Sequence, residues 1–221
     1  MKHNDSKIIC VSPDVFTRNE LRHYEEKILD NKSLTEQQAS RFFQDFPKFL
    51  TVGGYLDIAR EVVLYKGDKV MYRVDFVRRK AGERFWDFVE MKDPRTPYLV
   101  KAGGNWVFSS KIEKAVHQGR RYKDFLDDER NRVNLELRTG IRAFRPKLLI
   151  VGGRQNDDID PVELKRIASH YSNVDIQTYD DLYKFAKENY EYGSGIIVVP
   201  SLQGHLPGVP ILGQIQLCIS W

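Results

Sequence analysis

Apolar positions along the chain fall into runs of two different periods. In "SLTEQQASRFFQDFP", Ala39, Phe42, Phe43 and Phe46 recur at helical spacing, and Pro47 marks the end. Ser33-x-x-Glu36 at its start has the pattern of a capping box. Three runs of strand character follow, "LDIAREVVLYKG", "KVMYRVDFV" and "RFWDFVEMK", punctuated by Gly67-Asp68 and Gly82. Past a glycine-rich loop at Gly103-Gly104, "SSKIEKAVHQGRRYKDFLDDE" returns to the helical period. Ser110-x-x-Glu113 offers a cap, and Ile112, Ala115, Val116 and Leu126 form the buried side.

"PKLLIVGG" is a short, wholly apolar strand of the kind covered on both faces. A helix from Pro161 to Tyr171, a strand "VDIQ" and a helix from Asp180 to Tyr190 complete the pattern, with a further helical stretch near the start from Asn19 to Leu29. Residues 1–32 read as an N-terminal helical extension, 33–190 as the main domain, and 191–221 as a Gly/Pro-rich tail. Helix, antiparallel strands, then alternating helix and strand predict an α/β sandwich, a mixed sheet flanked by helices.

Composition changes this picture little. With 221 residues, 41% hydrophobic and 30% charged, the chain suits one globular domain. A net charge of +4 permits a nucleic-acid partner without demanding one. Cys10 and Cys218 are the only cysteines and lack metal-ligand spacing, which removes a disulfide framework or zinc site. No apolar run approaches the ~20 residues of a membrane span, so the expectation is a soluble, cytoplasmic protein without a membrane partner.

The candidate chemistry lies on the third strand run. Residues alternate faces along a strand, so Trp86, Phe88, Glu90 and Lys92 share one side while Phe85, Asp87, Val89 and Met91 share the other. Two charges ending a face that begins with two aromatics suggest a polar rim on a buried region. A hairpin turning near Gly82–Glu83 sets Asp75 opposite Glu90, within reach of one divalent cation. Mg²⁺ takes oxygen ligands and only one or two protein carboxylates, and the Met91 carbonyl offers a third protein oxygen. Lys92 would orient a water or stabilise developing charge. The alternative for these residues alone is a solvated strand end.

Glu36 could be a further acidic ligand from the first helix, facing the sheet, or the last member of its capping box, and the two roles need not exclude each other. Gln118 and Tyr122, four apart, share a helix face, with Lys111, Lys114 and Arg121 in a neighbouring stripe able to hold phosphates. A solvated basic face is the plain alternative, and it is equally open to the arginines at 78, 79, 120, 121, 130 and 132. His117 reads as a surface histidine, and Gly152-Gly153 lacks the spacing of a dinucleotide fingerprint.

Taken together, Glu36, Asp75, Glu90 with Lys92, and Gln118 with Tyr122 resemble the PD-(D/E)XK nuclease superfamily and its restriction-endonuclease-like fold. More narrowly, residues 33 to 190 are similar to the nuclease domain of the Shedu antiphage defence proteins. That likeness rests on "RFFQDFP", "FVEMKDP", "KIEKAVHQGRRYKDFL", "TGIRAFRPKLLIVGGR" and "VDIQTYDDLYKFAKENY".

The resemblance implies Mg²⁺-dependent cleavage of DNA, with Mn²⁺ as a substitute ion. It makes Asp75 and Glu90 metal ligands and Lys92 the catalytic lysine, with Glu36 and Gln118 in support. It also implies a bacterial, cytoplasmic role in phage defence and a homo-oligomer. The competing expectation is a catalytically silent module of the same fold that binds nucleic acid or serves regulatory assembly.

Overall fold

The computed structural model of the chain describes residues 8–11, 16–155, 161–171 and 173–194. Along the chain come β1 (Ile8–Cys10), α1 (Arg18–Tyr24), α2 (Glu36–Asp45), β2 (Tyr55–Lys66), β3 (Lys69–Lys80) and β4 (Asp87–Met91). A hairpin of β5 (Leu99–Ala102) and β6 (Asn105–Phe108) leads into α3 (Ser110–Asp127) and α4 (Glu129–Thr139). The chain continues as β7 (Leu148–Val151), α5 (Pro161–Ala168), β8 (Val174–Gln177) and α6 (Tyr179–Ser194).

Six strands make one sheet in the order β1-β2-β3-β4-β7-β8. The first four pair antiparallel, while β4, β7 and β8 run parallel. Helices cover both faces, as the sequence predicts for an α/β fold. Trp86, just before β4, and Phe88 on it pack with Ile112, Val116 and Tyr122 of α3 and Leu135 of α4. Val89 and Met91, on the other face, pack with Tyr24, Phe43, Leu182 and Ala186 from α1, α2 and α6. The alternation read from "WDFVEM" is therefore real, and its two faces feed two separate cores.

Close backbone approach explains one glycine in α3. A Cβ on Gly119 would lie 2.2 Å from Leu148 Cδ2, so only glycine lets this helix rest directly on β7. The helix thereby holds its adjacent residues, Gln118 and Tyr122, close above the sheet.

Several local features differ from the sequence reading. The cap of α2 is Thr35, which exchanges hydrogen bonds with Gln38, while the Ser33 hydroxyl is taken by Asn31 Oδ1 at 2.9 Å. Glu36 is thus free of capping duty. Similarly, Ser109 rather than Ser110 caps α3. The Gly103-Gly104 loop is the turn of the β5–β6 hairpin, both glycines having positive φ (56° and 82°).

Strand β1 and helix α4 carry too weak a period to be read from sequence: α4 is mostly charged and amide side chains with Leu135 as its buried apolar residue. Leu21, Tyr24 and Ile28 belong to the same core as α2 and α6, so the expected boundary after residue 32 does not divide the packing. Residues 191–194 extend α6, and the remainder of the expected tail, 195–221, lies outside the described residues.

Candidate active site

Strands β3 and β4 are in the register expected from the sequence: Phe76 faces Val89, Val77 faces Phe88 and Arg78 faces Asp87. One step further, Asp75 comes opposite Glu90. There the ladder stops and the strands part. Instead of a main-chain carbonyl, the Asp75 carboxylate receives the amide hydrogen of Met91, Oδ2 lying 2.8 Å from the nitrogen.

A backbone distortion lies level with this point on the far side of β3. Glu61, between the pairs Arg60–Phe76 and Val62–Val74, has a positive φ of 49°. A non-glycine residue there is strained and reorients the chain. On β2, Ala59 and then Val62 and Leu64 point into one core. On β3, Val74 and Val77 do likewise, while Phe76 points into the other. Both strands slip by one in their alternation at Glu61 and Asp75, which turns the Asp75 side chain into the fork.

Glu90 sits below this fork and is only 3% exposed. Lys92 Nζ donates to Glu90 Oε1 at 2.8 Å. Glu90 Oε2 lies 3.2 Å from the Tyr122 hydroxyl, which is also 3.1 Å from the Arg73 carbonyl and accepts a hydrogen bond from Gln118. Gln118 thus reaches Glu90 through Tyr122.

Lys92 is held from its own main chain. Its amide donates to the Val151 carbonyl at 2.7 Å, and its carbonyl accepts from the buried Tyr179 hydroxyl at 2.8 Å. A Cβ on Gly152 would lie 2.9 Å from the Lys92 Cβ, so this glycine leaves room for the lysine stem.

Burial and crowding set the protonation of the site. Burial first, then the neighbouring Asp75 charge, push the Glu90 carboxyl up to about 7, against the pull of Lys92. Asp75 is also raised by burial, although the Met91 amide and Lys92 oppose the shift. Burial works against the Lys92 ammonium, yet Glu90, with Glu36 and Asp75 behind it, holds its pKa above the ordinary value. Burial and then the Glu90 charge raise the Tyr122 phenol, keeping it a neutral donor. A buried carboxylate, Glu90, and a half-buried one, Asp75, with one lysine leave a surplus of negative charge that a divalent cation would relieve.

The remaining expected residues divide by exposure. Met91 brings its main chain to the fork while its side chain is fully buried. Glu36 stands exposed in the first turn of α2; its charge reaches Asp75 and Lys92. Among the described residues no three of His, Cys, Asp and Glu come together as a metal-holding group.

Lys111, Lys114 and Arg121 are exposed on α3, and Lys111 Nζ lies 3.3 Å from Thr96 Oγ1. Tyr122 requires a correction. It is fully buried and supports Glu90, so it is not part of a surface that could meet nucleic acid. Arg78 is likewise buried at 4% exposure, Arg79 pairs with Asp57, and Arg132 bonds main-chain carbonyls of Leu126 and Asp127.

Glu61, Tyr179 and Gly152 do not stand out in the sequence as site residues. The apolar pair and triplet in "IAREVVL" break strict alternation, and that break is a legible sign of the distortion at Glu61. Nothing local marks Tyr179, whose partner is 87 positions away.

No helix among the described residues is long and apolar enough to cross a membrane. No curated protein matches the sequence. Residues 33–183 match the family described as Shedu protein SduA, C-terminal. That span covers more than half of the chain and contains Asp75, Glu90, Lys92, Gln118 and Tyr122 together with every element that positions them. The chain belongs to the Shedu protein SduA C-terminal family.

Proposed function

We propose that the chain is a divalent-metal-dependent endonuclease that hydrolyses phosphodiester bonds of DNA, acting in bacterial antiphage defence. The observation that carries this reading is the fork: Asp75 on the Met91 amide, with Glu90 and Lys92 joined one step along the neighbouring strand. A lysine bonded to a buried carboxylate whose pKa is lifted to about 7 is costly as structure alone.

The donor set fits Mg²⁺, or Mn²⁺ in its place. Asp75 and Glu90 supply hard carboxylate oxygens and the Met91 carbonyl a neutral one, within the one or two carboxylates that magnesium takes. The ion would polarise a phosphate oxygen and make a bound water more acidic.

The other groups bind, orient and hold protons. Lys92 would hold the attacking water or the phosphate oxygen that gains charge, its pKa above the ordinary value keeping it a cation. Tyr122 and Gln118 fix the Glu90 carboxylate. Glu36 adds negative charge at the rim, favouring a cation. Lys111, Lys114 and Arg121 would take the phosphates of the strand on either side of the cut, as positioning contacts without base information.

The test is incubation of purified protein with supercoiled and with linear DNA, in Mg²⁺, Mn²⁺ or EDTA, beside Asp75→Asn. Cutting that requires the metal and is lost in the variant is expected. Cutting in EDTA, or undiminished in Asp75→Asn, would overturn the assignment.

A further inference from the structure

The pairing that joins β4 to β7 ends one residue before the lysine, at Met91–Val151. The Lys92 amide still reaches the Val151 carbonyl, but Gly153, with a φ of 71°, leaves the strand path beside it. With no ladder donor, the Lys92 carbonyl would be left unpaired at a half-buried point, which folded proteins rarely tolerate. The Tyr179 hydroxyl fills the gap, donating at 2.8 Å from 87 positions away.

Tyr179 is itself held from several directions. It is fully buried and opens α6 behind Thr178, whose amide and hydroxyl both donate to the Asp181 carboxylate at 2.7 Å. The Asp181 amide returns a bond to the Thr178 hydroxyl at 3.1 Å, and this exchange sets the start of the helix. The Tyr179 amide donates to the Gly153 carbonyl at 3.2 Å. The turn that takes Gly153 away from Lys92 therefore also anchors the residue that replaces it. Burial first, then the charges of Glu36, Asp75 and Asp93, hold the Tyr179 phenol well above its ordinary value and keep it a donor.

One further contact comes from α1. The hydroxyl of Tyr24, the last residue of that helix, donates to the Tyr179 carbonyl at 2.8 Å, and both side chains are fully buried. Helix α1 lies ahead of the residues that match the family. Its end is strapped to α6 twice more: Tyr183 donates to Glu25, and Arg154 bridges Asp180 and the Leu29 carbonyl. Of the three straps, Tyr24 is the one that bonds Tyr179.

We propose that Tyr179 is a positioning residue for Lys92 and that Tyr24 sets Tyr179, so that α1 belongs to the catalytic unit without touching substrate. Lys92 is fixed at its amide by Val151, at its carbonyl by Tyr179 and at its ammonium by Glu90. Releasing the carbonyl lets the stem shift, and a misplacement of about 1 Å at a reacting group costs up to about a hundredfold in rate. The catalytic part of this role rests on the proposed endonuclease, whereas the positioning of Lys92 is observable without DNA.

The experiment compares the full natural chain with Tyr179→Phe, Tyr24→Phe, the double variant and Tyr183→Phe. Labelling lysine carbonyls with ¹³C and aspartate amides with ¹⁵N selects, by nuclear magnetic resonance, the two Lys-Asp pairs of the sequence. Lys92-Asp93 is the probe and Lys123-Asp124 the reference. Lysine labelled with ¹³C at Cε shows whether the Lys92 stem is held, through distinct signals of its two ε-protons that vanish in Lys92→Met.

Tyr179→Phe keeps the ring and should shift the Lys92 carbonyl signal upfield and merge the two ε-proton signals. The Lys123 signal should stay in place, showing that the variant folds. Its kcat should fall at least about tenfold, with KM for DNA and Mn²⁺ affinity within about twofold of the natural chain. Tyr24→Phe should move the same carbonyl signal by less and lower kcat about threefold, and the double variant should be no slower than Tyr179→Phe, since both act along one path. Tyr183→Phe cuts a strap off that path; it should lower the melting temperature and leave the lysine signals and kcat as they are.

An unmoved Lys92 carbonyl signal, or ε-protons still distinct, in Tyr179→Phe would overturn the proposal. So would kcat unchanged in Tyr179→Phe despite moved signals, additive losses in the double variant, or a fall in Tyr183→Phe equal to that in Tyr24→Phe. A natural chain that leaves DNA uncut with either metal overturns the endonuclease instead, and the positioning then stands or falls on the two lysine signals.

Discussion

Asp75 Oδ2 accepts the amide hydrogen of Met91 at 2.8 Å, at the step where β3 and β4 stop pairing through their main chains. One carboxylate thereby closes the ladder and faces the fork that β4 opens toward Glu90 and Lys92. The two duties are separable. Asp75→Asn keeps an acceptor for Met91 and should lose metal affinity at least tenfold, with stability changed by less than about 1 kcal/mol. Asp75→Ala leaves the amide unsatisfied and should cost about 1–3 kcal/mol besides. Mn²⁺ calorimetry and thermal denaturation distinguish the two.

Glu90 makes the metal-free protein sensitive to pH. Its carboxyl is held at about 7 in the fold against an ordinary 4.5. The folded state therefore binds the proton more tightly than the unfolded state. Stability from this group is fully present below the unfolded value and is lost as pH rises through about 7. The loss is on the order of 3 kcal/mol. Melting temperature without metal should fall between pH 5 and 8, and Glu90→Gln should flatten that slope. Added Mg²⁺ should raise the melting temperature more at pH 8 than at pH 6, since it binds the deprotonated site.

Tyr122 is fully buried, and its hydroxyl meets Glu90, the Arg73 carbonyl and Gln118. Tyr122→Phe removes a donor that favours the charged carboxylate, so the Glu90 pKa should rise further. The acid limb of the pH–rate profile should move to higher pH and the cleavage rate at pH 7 fall about tenfold, while KM for DNA stays put. A uniform loss with an unmoved pH profile would mean that the hydroxyl serves packing alone.

Two glycines should resist replacement for steric reasons. Gly→Ala inside a helix ordinarily gains up to about 1 kcal/mol. At Gly119 the new methyl would stand 2.2 Å from Leu148 Cδ2, so Gly119→Ala should instead destabilise by about 1–3 kcal/mol, read by denaturant unfolding. Gly152→Ala would press on the Lys92 stem at 2.9 Å and on Ile112 Cδ1 at 3.3 Å. It should lower cleavage more than it lowers stability.

The basic stripe of α3 predicts a salt signature. Lys114→Glu and Arg121→Glu together should weaken DNA binding uniformly across sequences. The dependence of log K on log salt should also become shallower by about 0.9 for each phosphate that the variant no longer neutralises, measured by fluorescence anisotropy. An unchanged slope would place the DNA elsewhere.

Much of this arrangement is legible in the sequence, for identifiable reasons. Alternation in "WDFVEM" separates two cores, and a hairpin at Gly82 fixes the register that brings Asp75 opposite Glu90. The N-terminus of α2 misleads because two overlapping patterns compete. Ser33-x-x-Glu36 and Thr35-x-x-Gln38 both suit a capping box, and the choice falls to Asn31, which takes the Ser33 hydroxyl. Burial of Tyr122 is hidden from the helix alone, because it depends on how closely Gly119 lets α3 approach β7. The distortion at Glu61 is a backbone property that side-chain periodicity shows only as a broken alternation.

In the proposed endonuclease Lys92 serves chemistry at the fork and is not there to balance Glu90. The most direct measurement is the Mg²⁺-dependent rate of supercoiled DNA cleavage by Lys92→Met, whose side chain keeps the buried stem and loses the charge. The rate should fall at least a hundredfold with DNA binding retained. A rate within a few-fold of the natural chain would contradict this role.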